Sequence, residues 1–442
     1  MSHFKILATT LGAALLVAAC GGGGDGNQEP AIKFTSMVSF GDSLSDVGTY
    51  RTGPVLAAGG GRFTISPADP KTPTNWQELV AAQLGLSASA CAARNGGFGT
   101  TETAVAGCRN YAQGGARVTN PKGVGNPVGV GFTTGALTEP VVTQIAHFVT
   151  DNGSANFTGK ELVTVLAGAN DIFGLTDQLT ADATAVGNAS FAQSLVGGLA
   201  AGAPTAYQAA AAQAIGLAVQ TEAAKPGSTA NTIVTAAATA AATHAAMNGY
   251  TNTAVANAAS IAAAAGVAAT AAGNNYAGTT GAGIAVAGMA TAATELAGYV
   301  KNRMIGMGAK YVVVVNLPDV SLTPSAVATP ANQPLVLAMT TAFNNALQTG
   351  LAGTAGVIIV DAFHNLQDEV NHPEQYSLSN VTGMACDLAK VNNTSLFCSA
   401  ATLIAGDTSH YLFADGVHPT PYGYKLLSQL VSRDLAKAGW LY

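Results

Sequence analysis

Four apolar, β-prone runs punctuate the chain: Thr35 to Phe40, Glu161 to Ala167, Tyr311 to Asn316 and Val357 to Asp361. Each is continuous rather than alternating, which marks a strand buried on both faces. Helical spacing fills the stretches between them. Trp76, Leu79, Val80 and Leu84 share one face of a helix over 75–84, with Asn75 as its N-cap and Gly85 as its stop. Val142, Ile145, Ala146 and Val149 do the same over 139–149. Thr420 as N-cap and Pro421 at the first position start a closing helix, whose stripe is Leu427, Leu430, Val431 and Leu435. Gly53 to Pro73 is rich in Gly and Pro and reads as loop. Strands alternating with helices predict an α/β fold, a parallel sheet covered on both faces.

Over 181–290 the pattern changes. Of these 110 residues 43 are alanine and three are charged, Asp182, Glu222 and Lys225. Alanine is the best helix former, so short helices broken at Gly, Pro and Asn clusters are expected. Alanine also buries little area, so packing per residue would be thin. The segment reads as an insertion that leaves the C-terminal end of the strand before Asn170, the edge where open parallel sheets bind ligands. It is either a cap that shapes a substrate pocket or a low-charge appendage on the sheet's flank. No apolar run after residue 20 looks long and uninterrupted enough to span a bilayer.

The chain has 442 residues, 10% of them charged, and a net charge of −6. With no basic run, nucleic acid is excluded as an expected partner. The first 20 residues differ from the rest. Lys5 precedes a short apolar stretch, Ile6 to Ala19, which reads as a signal peptide. Val17-Ala18-Ala19 before Cys20 resembles a bacterial lipobox, which implies a lipidated Cys20 and membrane contact through an N-terminal anchor. A flexible tether follows over 21–33. The expected organisation is then a first catalytic part over 34–180, the insertion over 181–290 and a second catalytic part over 291–442. Export implies an oxidising compartment. Four cysteines remain, and of three possible connectivities Cys91–Cys108 with Cys386–Cys398 is preferred, because each closes a short loop.

The chemistry lies in two short stretches far apart. Phe40-Gly41-Asp42-Ser43-Leu44-Ser45-Asp46 follows the first strand and turns at Gly41. A helix starting just after Ser43 would set the serine and its N–H at a positive helix end, which favours an oxyanion. A hydroxyl needs a base to take its proton, and a His held by a carboxylate is the usual one. Asp415-Gly416-Val417-His418-Pro419 offers both within one loop. His147, His244, His364, His372 and His410 have no second carboxylate or Cys at ligand spacing, so no metal is assigned and no cofactor is expected. Asp42 and Asp46 read as turn carboxylates, and Asp171 as the cap of the helix after Asn170.

Four stretches in order resemble the GDSL or SGNH hydrolase superfamily: Gly41-Asp42-Ser43-Leu44, Asn110-Tyr-Ala-Gln-Gly-Gly115-Ala, Gly168-Ala-Asn170-Asp171 and Asp415-Gly-Val-His418-Pro. The resemblance covers roughly 35–175 and 295–437. It implies a three-layer α/β/α sandwich with a parallel sheet of about five strands. It also implies Ser43, His418 and Asp415 as a catalytic triad, with the N–H groups of Ser43 and Gly115 and the Asn170 amide around the oxyanion. Cys398 and the run from Tyr411 to Thr420 also look like the passenger domain of autotransporter esterases, without that relative's C-terminal run of alternating strands. The implied substrates are small-molecule or lipid carboxylic esters. Two rivals stay open: removal of acetyl groups from a polysaccharide, and a cell-surface adhesion protein whose hydrolase site is vestigial.

Overall fold

The computed structural model describes residues 32–126, 135–153 and 155–441. The expected signal peptide, Cys20 and most of the tether lie outside these residues. In chain order the first half holds β1 (Ser36–Gly41), α1 (Gly53–Ala57), α2 (Trp76–Gln83), a hairpin of β2 (Arg94–Gly97) and β3 (Thr100–Ala104), α3 (Val141–Asp151) and β4 (Glu161–Leu166). Five helices follow: α4 (Ala169–Ala200), α5 (Gln208–Ala223), α6 (Ala230–Met247), α7 (Ala258–Tyr276) and α8 (Ala282–Tyr299). The chain then runs through β5 (Tyr311–Val315), α9 (Pro324–Val327), α10 (Gln333–Leu351), β6 (Val357–Val360) and α11 (Ala362–Asn371). It closes with β7 (Asn380–Met384), β8 (Tyr411–Phe413) and α12 (Pro421–Lys437).

The four apolar runs form one parallel sheet in the order β1-β4-β5-β6. Phe40 lies beside Val165, and Val165 beside Val314. A fifth run follows the outer edge of β1 without becoming a full strand. There the Ser39 N–H donates to the Arg109 carbonyl at 3.0 Å, and the Tyr111 N–H donates to the Ser39 carbonyl at 2.7 Å. The chain thus goes from β1 to one side, around residue 110, and then crosses to β4 on the other. Such a reversal opens a crevice at the C-terminal edge of the sheet.

Alternation along each strand feeds two cores. Val38, Phe40, Val163, Val165 and Val314 pack with Phe148 of α3, Met289 of α8 and Phe343 of α10. Met37, Leu162, Leu166 and Val313 face Trp76 of α2 and Tyr424 and Val431 of α12. Both flanking helices start as the sequence expects. Asn75 and Glu78 form a capping box on α2, and the Thr420 hydroxyl accepts the Gly423 N–H on α12. One short helix, α1, interrupts the expected loop over 53–73.

The alanine-rich stretch departs most from expectation. Instead of short pieces, α4 is one helix of 32 residues that begins at Ala169, ahead of the composition change. Its partners run backwards along the returning chain: Leu175 meets Gly288, Leu179 meets Gly281, Ala183 meets Gly273, Gly187 meets Ala269 and Gly198 meets Ile261. The returning helix ends where the Phe157 N–H donates to the Met307 carbonyl, near the start of β4. The pair therefore stands up from the C-terminal edge of the sheet as an antiparallel arm. At 1.5 Å per residue, α4 is about 48 Å long. A glycine inside a helix costs about 1 kcal/mol relative to alanine, which is why breaks were expected. Here Gly198 and Gly273 sit where a Cβ would lie 2.5 Å from Ile261 and 3.0 Å from the Ala183 carbonyl. Close helix approach offsets the local penalty. The returning helix also corrects the reading of membrane-spanning length. Val255–Met307, 53 residues, is long and apolar enough by length and composition to cross a bilayer, with 6% of its most apolar stretch buried.

Beneath the His418 loop lies a cavity of about 60 Å³, lined by Leu44, Leu166, Leu366, Val417 and Glu369. Burial pushes the Glu369 carboxyl up to about 7, although the Asn365 amide donates to it at 2.6 Å. In the unfolded chain the same group ionises near 4.5. The folded state therefore holds the proton longer and loses stability as pH rises from about 4.5 to 7. Glu369→Gln keeps the Asn365 bond without the charge. It is expected to be more stable than the native chain above pH 7 by up to about 3 kcal/mol, with no difference below about pH 4. Urea denaturation at the two pH values checks this.

Candidate active site

The site is built at the end of β1. Gly41 has φ +147°, and a Cβ there would lie 2.2 Å from the Leu166 carbonyl oxygen of β4. Only glycine lets the chain turn this close to its neighbour. Gln144 of α3 grips the turn from the other side: its Oε1 accepts the Gly41 N–H at 2.8 Å, and its Nε2 donates to the Gly41 carbonyl at 2.8 Å. The residues after Ser43 form a turn and not the expected helix. Carboxylates explain this. Asp42 Oδ1 accepts the Leu44 N–H at 3.0 Å, and Asp46 accepts from Gly48, Thr49 and Gly114, all within 2.9 Å. With those N–H groups satisfied by side chains, the backbone has no need of a helix. The second Asp42 oxygen is buried without a partner, and burial raises this carboxyl to about 7.

The far motif meets the near one. His418 Nε2 stands 2.9 Å from Ser43 Oγ across 375 residues of sequence. His418 Nδ1 lies 2.8 Å from Asp415 Oδ2 and 2.9 Å from Oδ1. A carboxylate only accepts, so Nδ1 carries the proton and Nε2 is left to accept from the serine. Asp415 is buried, which would raise it, but His418, the Ser395 side chain and the Val417 N–H outweigh burial and hold it well below the usual carboxylate range. The Ser395 N–H donates to Oδ2 at 2.7 Å. Both expected disulfides form, Cys91–Cys108 and Cys386–Cys398. The second brackets the acid: the Cys386 N–H donates to the Ala414 carbonyl, and Cys398 lies three residues beyond Ser395. Two disulfides suit an oxidising compartment.

The expected donors Gly115 and Asn170 lie in the 110–116 motif and in the first turn of α4. Asp46 takes up the Gly114 N–H, which separates the two adjacent glycines of that motif. Among the described residues, neither the Ser43 nor the Gly115 N–H donates to a protein acceptor. Gly115 has φ +81°, and a Cβ on it would lie 2.0 Å from the Val124 carbonyl. Asn170, in the first turn of α4, is buried and uses one amide hydrogen on the Ala116 carbonyl at 2.9 Å. That leaves the other hydrogen free. Asp171 does not cap its helix as expected. It accepts Arg117 Nε at 2.9 Å and the Val118 N–H at 3.0 Å, tying α4 to the Gly115 loop.

Sequence reasoning missed Gln144, Ser395 and Phe63. The Phe63 ring lies 5.0 Å from the His418 ring and continues through Tyr50 and Phe98 to Phe397 as an aromatic wall. No local signal marks any of the three. The structure also brings together Glu102, Glu139 and His147, whose ligating atoms lie within 4.8 Å of one another. Arg94 stands 3.7 Å from Glu102 and already supplies positive charge there.

A sequence model described as GDSL-like Lipase/Acylhydrolase matches residues 202–431, just over half of the chain. The chain belongs to this family and is a hydrolase of the ester-cleaving kind. The match takes in Asp415 and His418 and begins after Ser43, Gly115 and Asn170. No curated protein matches the chain.

Asp46 is the hub of the turn, so its loss is the sharpest structural test. Asp46→Ala leaves three buried N–H groups without acceptors, at about 1–3 kcal/mol each. A loss of about 3 kcal/mol or more in urea denaturation is expected. A change below about 1 kcal/mol would show that the turn holds without it.

Proposed function

We propose that the enzyme is an exported serine esterase that cleaves carboxylic esters through an acyl-enzyme, with Ser43, His418 and Asp415 as its triad. One observation carries the reading: the 2.9 Å approach of Ser43 Oγ to His418 Nε2, with Asp415 on the opposite nitrogen. Ser43 Oγ attacks the ester carbonyl carbon as its proton passes to Nε2, and Asp415 steadies the resulting imidazolium. The carbonyl oxygen takes the negative charge and is met by the N–H groups of Ser43 and Gly115 and the free Asn170 hydrogen. One such donor is worth about 3 kcal/mol in the transition state. The tetrahedral adduct then collapses, and His418 returns the proton to the departing alcohol oxygen. Water repeats the sequence on the acyl-enzyme and frees the acid.

The aromatic wall beside His418 supports esters with an apolar acyl or alcohol group. Residues 1–20 read as a signal segment ending at a lipidated Cys20, and the two disulfides support a location outside the reducing cytosol.

A fluorophosphonate probe followed by peptide mapping is the test. Labelling is expected on Ser43 and absent from Ser43→Ala, which should also lose hydrolysis of p-nitrophenyl esters. A label on another residue, or none, overturns the reading. Asn170→Ala is expected to lower kcat by about 100-fold or more while changing KM little, since its amide meets charge that exists only in the transition state.

A further inference from the structure

We propose that the helical arm, α4 to α8, docks on the surface of a lipid bilayer, with its apolar side chains in the boundary between headgroups and acyl chains. Charge is the first observation. The whole chain carries 18 Lys or Arg and 24 Asp or Glu, yet 181–290 holds three of them. Two of the three, Glu222 and Lys225, pair with each other at 2.5 Å, and Asp182 accepts the Gln178 amide at 2.8 Å. A solvated helical arm normally shows a charged face. This one has none.

The second observation is how the arm treats its own polar groups. Thr180, Thr184, Thr221, Thr235, Thr270 and Thr291 each donate the hydroxyl hydrogen to the carbonyl four residues back. Such bonds spend the donors inside the helix. Backbone and hydroxyl groups satisfied within one helix are what an apolar medium requires.

Third, the arm stays apolar outside its own small core of Leu195, Leu199, Ile215 and Val219. A helix apolar on all sides belongs in a protein interior or in lipid. In the returning helix only 6% of the most apolar stretch is buried, so the interior is ruled out for that stretch, while Met289, Ala293 and Leu296 farther along pack on the sheet. Five of the eight large hydrophobic side chains exposed on the described chain are on the arm: Tyr207, Leu217, Met247, Val267 and Ile284. Leu217, Met247, Val267 and Ile284 are between 53% and 74% exposed. Ala183 and Gly187 face Ala269 and Gly273 at near backbone contact, the small-residue spacing that joins helices in bilayers. The exposed Leu217, Met247, Val267 and Ile284 stand singly on four helices among alanines, which leaves a second copy of this chain little area to bury.

Lipid is the occupant that these observations select, through apolar contact rather than charge. Binding should therefore be indifferent to salt and need no anionic lipid. The arm rises from the sheet edge that holds Ser43, so docking keeps the enzyme on a surface that can carry its ester substrate.

The test uses the full chain with Val267→Trp or Leu217→Trp and vesicles of phosphatidylcholine, with and without bromine on the acyl chains. Fluorescence from the new Trp is expected to be at least halved by the brominated lipid, at low and at high salt alike. Native Trp76 and Trp440 set the background. Because the N-terminal segment is the same in every protein, a tether alone cannot produce quenching that depends on position 267. Quenching no greater than background at both positions overturns the proposal. The triple variant Leu217→Glu, Val267→Glu, Ile284→Glu should keep its helical circular dichroism and its hydrolysis of a soluble ester, and lose at least tenfold on an ester carried in vesicles, roughly the effect of moving three charges into the boundary. Equal losses on both substrates would overturn it. So would a dimer in lipid-free sedimentation that the triple variant dissolves, since the surface would then belong to a second copy. Quenching does not depend on catalysis, so failure of the esterase reading would leave this test intact.

Discussion

A single backbone contact governs the geometry of the site. β1 and β4 stay paired up to Gly41 and Leu166, and the Asp42 N–H still reaches the Leu166 carbonyl at 3.2 Å. The chain then has to turn in a space that admits no Cβ. That turn delivers Ser43 to the C-terminal edge of the sheet, 2.9 Å from His418 Nε2. Widening the contact to admit a side chain would part the two strands and carry the hydroxyl away from His418. Gln144 holds both polar groups of Gly41, so the helix layer and the sheet fix the same residue.

Much of this was legible in the chain itself, for identifiable reasons. The four strands announce themselves because a sheet covered on both faces needs unbroken apolar runs. Asn75 and Thr420 are legible because caps are local. The meeting of Ser43 with His418 and both disulfides are legible because each half lies in a short motif or closes a short loop. What was missed depends on distant partners. The helix expected after Ser43 gives way because Asp42 and Asp46 capture its N–H groups, and Asp46 reaches 68 residues along the chain to Gly114. Asp171 looked like a cap because only its neighbours in sequence were visible, whereas its partners are Arg117 and Val118. The length of α4 was hidden for the same reason, since the helix that makes its glycines useful returns some 70 residues later.

The two halves of the molecule are stabilised differently. The sheet is covered by large side chains, with Trp76, Phe148, Phe343 and Tyr424 all buried. The outer part of the arm has Leu195, Leu199, Ile215 and Val219 at its centre and alanine around them. Its order therefore owes more to helix propensity and less to buried area.

Asn170 sits at the root of a rod some 48 Å long, which has a mechanical meaning. If the rod sways about its base, the tip sweeps a wide arc while the second residue scarcely moves, because leverage falls in proportion to distance from the fulcrum. Asn170 and Asp171 are also bolted to Ala116, Arg117 and Val118. Jostling at the far end is attenuated by more than tenfold before it reaches Asn170, by the ratio of rod length to root distance.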